Sequence, residues 1–147
     1  MKITNRFLSF LIISIVYIIS ATISVASFVF IQLDLWLRLL IADIIGTTVV
    51  FVFSLIFKNA SVYDPYSSVQ PIVILVSFAI FSQLNPIKIV LLCAVCLWGI
   101  RLTANWAYTF KNMQHQDWRY TMLCEKTKKF YPLINYLGIH MFPTLVV

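Results

Sequence analysis

The chain has 147 residues, 61% of them hydrophobic and 11% charged. Soluble domains are about 45–50% apolar and about 25% charged, so the composition excludes a soluble globular fold and puts the chain in a bilayer. A net charge of +6 would suit nucleic acid on a soluble domain. Here the basic residues flank apolar runs, and membrane topology rather than nucleic-acid binding accounts for them.

The expected fold is all-α: a polytopic transmembrane helix bundle forming one domain over residues 1–147. The first uncharged run, residues 7–33, far exceeds the roughly 7–15 apolar residues of a signal peptide. It is long enough to cross a hydrocarbon core of about 30 Å, so it reads as a retained helix over residues 7–31. A tight connection at residues 32–34 leads to a second span at about 35–57. The third begins at Pro65 or Pro71 and ends near Gln83. The fourth starts at Pro86 and runs to about Phe110. Asn85-Pro86 is a strong helix start, because Asn caps and Pro fits the first helical position. Asp64-Pro65 has the same grammar, with Asp64 as the cap. A fifth apolar stretch, residues 130–147, is still running at the chain end. Pro143, with Pro132 near the start, is expected to truncate or kink it.

Charges in the connections set the orientation. With a cytoplasmic N-terminus, Lys2, Arg6, Lys58, Arg101, Lys111, Arg119, Lys126, Lys128 and Lys129 fall inside, and only Arg38 and Lys88 outside. That split is a strong positive-inside signal. It opens the two loops richest in polar and aromatic residues, 58–70 and 101–130, on the cytoplasmic face. Lys126, Lys128 and Lys129 read as an anchor to lipid headgroups.

Polar residues at the edge of apolar helices mark the candidate sites. Trp98, Arg101, Asn105, Tyr108 and Asn112 are spaced 3, 4, 3 and 4, which gathers them on one helical face. Snorkelling accounts for Arg101 and an interfacial belt for Trp106, but an amide gains nothing from lipid, so the stripe is expected to face a polar site. In the loop beyond, Asp117 can accept hydrogen bonds from a ribose or an amide, and the fork of Arg119 suits phosphate or carboxylate. An Asp–Arg pair holding an amphipathic helix on the membrane surface fits these two equally well. In the other loop, Tyr63 and Tyr66 each offer a ring to an apolar ligand and a hydroxyl to donate. Asp43 lies about nine residues, or roughly 13 Å, into the second span, with Thr47, Ser54 and Lys58 near its own face. It is either a functional carboxylate or a neutral acid hydrogen-bonded to another helix. His140, in an apolar run, reads as a satisfied core histidine. Cys93 and Cys96, three residues apart within a helix, read as packing, and with Cys124 make no disulfide framework. No glycine-rich phosphate loop, zinc spacing or hydrolase elbow occurs, so no metal is expected and any nucleotide must be held by side chains.

The segments NASVYDPYSSV at residues 59–69, Arg101 with Asn105-Trp106, and QDWRY at residues 116–120 together resemble a bacterial and protist membrane family of unknown function. That family is related to the steroid 5-alpha-reductase C-terminal domain, within a superfamily that also holds the isoprenylcysteine carboxyl methyltransferases. The resemblance runs from about residue 41 to the end. It implies NADPH as cofactor, with Asn105, Asp117, Arg119 and Tyr120 holding it and Arg101 supporting them one turn away. It implies catalytic roles for Tyr63 and Asp64 near a lipid-like substrate, the tyrosine polarising an enone oxygen. Ser67 stands where the family usually has Trp, which alters that wall. Family members continue well past this chain's end with a further cofactor segment, so the resemblance marks the chain as an N-terminal portion. The leading expectation is a membrane reductase of a conjugated carbon–carbon double bond. An S-adenosylmethionine-dependent methyltransferase and a non-catalytic membrane protein are the alternatives.

Overall fold

The computed structural model describes residues 5–83 and 85–146; Lys2 and Val147, used above for charge and span limits, lie outside them. These residues form helices α1 (Arg6–Phe30), α2 (Leu35–Phe57), α3 (Asp64–Phe81), α4 (Pro86–Thr109), α5 (Trp118–Thr127), α6 (Tyr131–Ile134) and α7 (Phe142–Val146). One turn of 3-10 helix, Ala60–Val62, precedes α3, and a π-helix, Asn135–Met141, joins α6 to α7. Among the described residues no strand is present. Four helices are long and apolar enough to cross a membrane, and the protein is an all-α integral membrane protein.

Helix ends follow local chemistry. Asn5 caps α1, its side chain accepting from the amides of Phe7 at 2.9 Å and Leu8 at 3.5 Å. Asn85 caps α4 through the Lys88 amide at 2.9 Å, with Pro86 in the first turn as its missing N–H requires. Lys58 closes α2 in the left-handed region at φ 53°, and the Asn59 amide reaches back to the Ser54 carbonyl at 3.0 Å.

Three boundaries depart from expectation. Asp64 is the first residue of α3 rather than its cap, where its negative charge still complements the helix dipole. Pro71 lies inside α3, not at its start. The fifth stretch neither stops nor breaks at Pro143. The π-helix ends with the Phe142 amide bonded to the Leu137 carbonyl, five residues back, so the ladder is already widened where Pro143 withholds its donor.

The chain forms two compact units. One combines Met1–Tyr63 with Lys111–Val146; the other is Asp64–Phe110. In the first, α1 turns Ser9, Ile13, Val16 and Ser20 inward, and α2 turns Ala42, Asp43, Gly46, Thr47, Val50 and Ser54 inward. Both stripes recur at helical spacing and are rich in small and polar residues, as helix contacts in lipid require. Ser20 donates to the Gly46 carbonyl at 3.0 Å. The outward faces are apolar, with Ile18, Val25 and Phe30 exposed.

In the second unit α3 packs on α4. Ser68 and Thr103 share a hydroxyl hydrogen bond of 2.9 Å. One turn earlier, a Cβ on Gly99 would lie 2.5 Å from the Ser68 carbonyl oxygen and 2.8 Å from Ile72 Cδ1. The helices approach this closely only because Gly99 has no side chain. Cys93 is exposed and Cys96 half-buried, both as free thiols. For Cys93, burial in a core is therefore not its role; it lies on the outside of α4.

Gly99→Ala is expected to cost on the order of 1–3 kcal/mol, because the clash is with backbone rather than a movable side-chain tip. Gly138→Ala, which meets nothing within 4 Å, is the control and should be neutral or slightly stabilising. Thermal unfolding of the two variants in one detergent checks the contrast.

Candidate functional site

The two sequence motifs meet through residues other than those expected to carry chemistry. Asn59 is 1% exposed. Its Oδ1 accepts from the Ser61 amide at 3.0 Å, which caps the 3-10 turn, and its Nδ2 donates to the carbonyls of Met113 at 2.8 Å and His115 at 3.3 Å. The Ser61 hydroxyl accepts from the Asp117 amide at 3.0 Å, and Gln116 Oε1 accepts from the Ala60 amide at 3.2 Å. The Met113 amide donates to Ser9 Oγ on α1 at 3.1 Å. The loop after α2 and the loop before α5 are thus clasped by buried amide and hydroxyl groups. Sequence reasoning missed Asn59, Ser61 and Gln116 because loop residues of these types read as solvated turns; only the tertiary fold supplies their partners.

Asp117 caps α5 and is committed to Arg119. Its Oδ1 accepts from the Arg119 amide at 2.9 Å and from Nε at 3.0 Å, and its Oδ2 accepts from Nη2 at 3.0 Å. The Arg119 side chain is 59% exposed, and its guanidinium lies 5.7 Å from the centre of the Tyr120 ring. Hydrogen bonding from Arg119 holds the Asp117 carboxyl below its ordinary value of 3.8, against a smaller opposing effect of burial. This is the geometry of the Asp–Arg pair at the start of an amphipathic helix.

Tyr63 is 2% exposed. Its hydroxyl donates to the His140 carbonyl at 2.8 Å and lies 2.9 Å from Thr144 Oγ1. Thr144 also donates to the His140 carbonyl at 2.8 Å and pairs with Thr47 Oγ1 of α2 at 2.8 Å. The His140 ring packs 4.4 Å from the Tyr63 ring and 5.2 Å from Phe51. Its Nδ1 is 3.1 Å from the Asn135 carbonyl, which makes Nδ1 the protonated nitrogen. Its Nε2, like Asn135 Oδ1, is buried with no partner among the described residues. His140 is therefore a core histidine, as expected, but satisfied at one nitrogen only. A phenol, two threonines, a histidine and an asparagine thus form a buried polar cluster that no sequence spacing announces.

Tyr63, Asp117, Arg119 and Tyr120 belong to the first unit; Asp64, Arg101 and Asn105 belong to the second. Arg101, Asn105 and Tyr108 are exposed on α4, so the expected polar stripe is an outward one. Asn112 does not continue it. α4 ends at Thr109, and the Asn112 side chain instead accepts from the amides of Gln114 and His115 at 3.0 and 3.1 Å. The helical period had been extended one turn past the real terminus. Within the second unit, an apolar groove of about 330 Å³ runs along Val69, Ile72, Gly99, Thr103, Ala104 and Ala107.

These features define a multi-span α-helical membrane protein with a buried hydroxyl cluster and a clasped pair of polar loops. Residues 50–147 match the model of a family described as "Protein of unknown function (DUF1295)", and the chain belongs to that family. The match contains all seven residues assigned to substrate or cofactor, and excludes Asp43 and Thr47. No curated protein and no solved structure matches the chain.

Asn59→Ala is expected to lower stability by about 2–3 kcal/mol, since it strands buried amide and carbonyl groups on both loops. Denaturation followed by circular dichroism in detergent tests this. A carboxyl whose folded pKa is lowered contributes stability that is present above its unfolded value and is lost as pH falls through the folded value. The Asp117 contribution should therefore be complete above about pH 5 and fade below pH 3.8. For so exposed a pair it should stay under about 1 kcal/mol. Subtracting the pH–stability curve of Asp117→Asn from that of the parent isolates it.

Proposed function

We propose that this protein is a membrane-embedded, NADPH-dependent reductase of a conjugated carbon–carbon double bond in a lipid-like or steroid-like substrate. Its N-terminus and motif loops face the cytoplasm in this reading, following the loop charges. The observation that carries the proposal is the placement of Tyr63. The Tyr63 hydroxyl is held by the His140 carbonyl and Thr144, and donation to a carbonyl oxygen or enolate requires that cluster to open to the substrate. The resemblance noted in the sequence assigns the same residue to the substrate end, with Asp64 beside it.

NADPH, when bound, supplies the hydride. The donor types fit it. The Arg119 guanidinium is held in one orientation by Asp117 on a side chain that is more than half exposed, which suits a phosphate oxygen pair. Tyr120 offers a ring beside that guanidinium. Asn105 and Arg101, exposed four residues apart on α4, are assigned to the same cofactor by the resemblance alone.

Equilibrium binding to the full chain in detergent tests the reading. NADPH is expected to bind in preference to S-adenosylmethionine. Arg119→Ala and Asn105→Ala should each weaken NADPH binding roughly tenfold, about 1.4 kcal/mol, without impairing membrane insertion. Preference for S-adenosylmethionine would move the protein to the methyltransferases of the same superfamily. Binding of neither would leave a non-catalytic membrane protein.

A further inference from the structure

We infer that α5 and the lysines that follow it form an interfacial site for anionic phospholipids. Lys126, Lys128 and Lys129 meet the headgroup phosphates, and Trp118 and Met122 enter the acyl boundary. The inference is independent of the reductase reading and uses none of the residues assigned there to substrate or cofactor.

The apolar stretch after α5 fixes the headgroup level. Phe130, Leu133 and Leu137 are all exposed, an outward ridge that begins directly after Lys129. Such a ridge belongs in hydrocarbon, so the residues at its start lie among the headgroups. α5 leads up to that level. Its ten residues extend about 15 Å, half of a hydrocarbon core of about 30 Å, so it cannot span one. Lys128 ends it at φ 44°, a positive value that lysine rarely adopts, and the helical path breaks there before the ridge starts. Tyr120, Leu123 and Thr127, spaced three and four apart, are the half-buried side of α5. Trp118 and Met122, one turn apart, lie on the other side, with Trp118 70% exposed. An outward indole beside a thioether gains nothing from water, whereas the membrane interface gives each an acyl contact and leaves the indole N–H among headgroups.

Charge selects the lipid. Residues 118–130 hold four basic side chains against one carboxylate, Glu125. Arg119 is engaged by Asp117. The side chains of Lys126, Lys128 and Lys129 are exposed and make no ion pair or hydrogen bond among the described residues. Three cations within four residues, held at phosphate level, attract a headgroup of net negative charge. A zwitterionic headgroup, neutral overall, supplies no such attraction. A protein occupant would need an acidic surface with a recess for the indole. The lipid surface needs neither, and it is already continuous with the ridge at Phe130.

Fluorescence quenching by lipids brominated along the acyl chain tests the site. The full chain is reconstituted in phosphatidylcholine vesicles containing a minor fraction of phosphatidylglycerol, and the Trp118 signal is the wild-type emission less that of Trp118→Phe. Per labelled lipid, brominated phosphatidylglycerol should quench it about fivefold more strongly than brominated phosphatidylcholine. Lys126→Gln, Lys128→Gln and Lys129→Gln combined should bring that ratio to unity. Quenching by brominated phosphatidylcholine should persist in this variant, because the indole stays in the acyl boundary. The matching Lys→Arg variant, which keeps the charge, should keep the preference. Raising salt from about 0.1 M to about 1 M, which shortens the screening length from about 10 Å to about 3 Å, should lower the wild-type ratio toward unity. Trp118 emission that neither lipid quenches overturns the inference and leaves this face to a protein partner. Equal quenching by the two lipids in the wild type overturns the selectivity, as does a preference that survives in the glutamine variant. If that variant fails to insert, a wild-type preference indifferent to salt overturns it instead.

Discussion

Hydrocarbon cannot hydrogen-bond, and this constraint shapes every polar contact in the chain. A hydroxyl left unpaired there costs several kcal/mol, so most find a partner within the protein, Ser24 being an exception among the described residues. Outward-facing hydroxyls take the nearest one. Thr22, Ser27 and Ser77 each donate to the carbonyl four residues back on their own helix, a local bond that hides the group from lipid. Inward-facing hydroxyls reach across helices instead, as Ser20 does to Gly46 and Thr47 to Thr144. The first unit therefore has an apolar exterior over an interior in which serine, threonine, asparagine and histidine sit among Ile13, Val16 and Val50.

That polar interior positions the loops. The Tyr17 hydroxyl donates to the Val62 carbonyl at 2.6 Å, tying α1 to the 3-10 turn. The same turn is held from its other side by Gln116 and by the Asp117 amide. Tyr63, immediately after it, is thus fixed on its N-terminal side before its own side chain makes any contact. The π-turn contributes from the opposite side. Its widened ladder brings the His140 carbonyl and Thr144 onto one hydroxyl, and such turns concentrate where backbone geometry serves function.

The spans were legible because lipid imposes a length and a composition on them, and α1, α2 and α4 begin and end close to where those properties change. Asn85-Pro86 was legible because its capping chemistry is local. Pro71 was not, since a proline inside a membrane helix is tolerated when neighbouring groups adjust, and nothing in its immediate sequence says whether they do. Asn112 misled for a related reason. Helical spacing continues on paper after the helix itself has ended, and here Phe110 is already extended. Tyr63, Asp117 and Arg119 could be singled out by residue type. The groups that hold Tyr63 in its cluster, Thr144 directly and Thr47 through Thr144, are 97 residues apart in the chain and carry no shared motif.

In the proposed nucleotide-binding reading, the Asp117–Arg119 pair competes with the ligand, because the guanidinium already spends two donors on a carboxylate. Magnitudes remove the conflict. An exposed pair of this kind contributes at most about 1 kcal/mol, whereas a charge-assisted bond from arginine to phosphate contributes about 1.5–3 kcal/mol. Exchanging carboxylate for phosphate is therefore favourable or near neutral for Arg119. Asp117 does not come adrift when the exchange occurs, since its amide remains on Ser61 and its carboxylate still caps the Arg119 amide. In that proposed reading the pair orients the guanidinium before the ligand arrives and releases it at little cost, while the loop that carries both residues stays clasped to the turn before Tyr63.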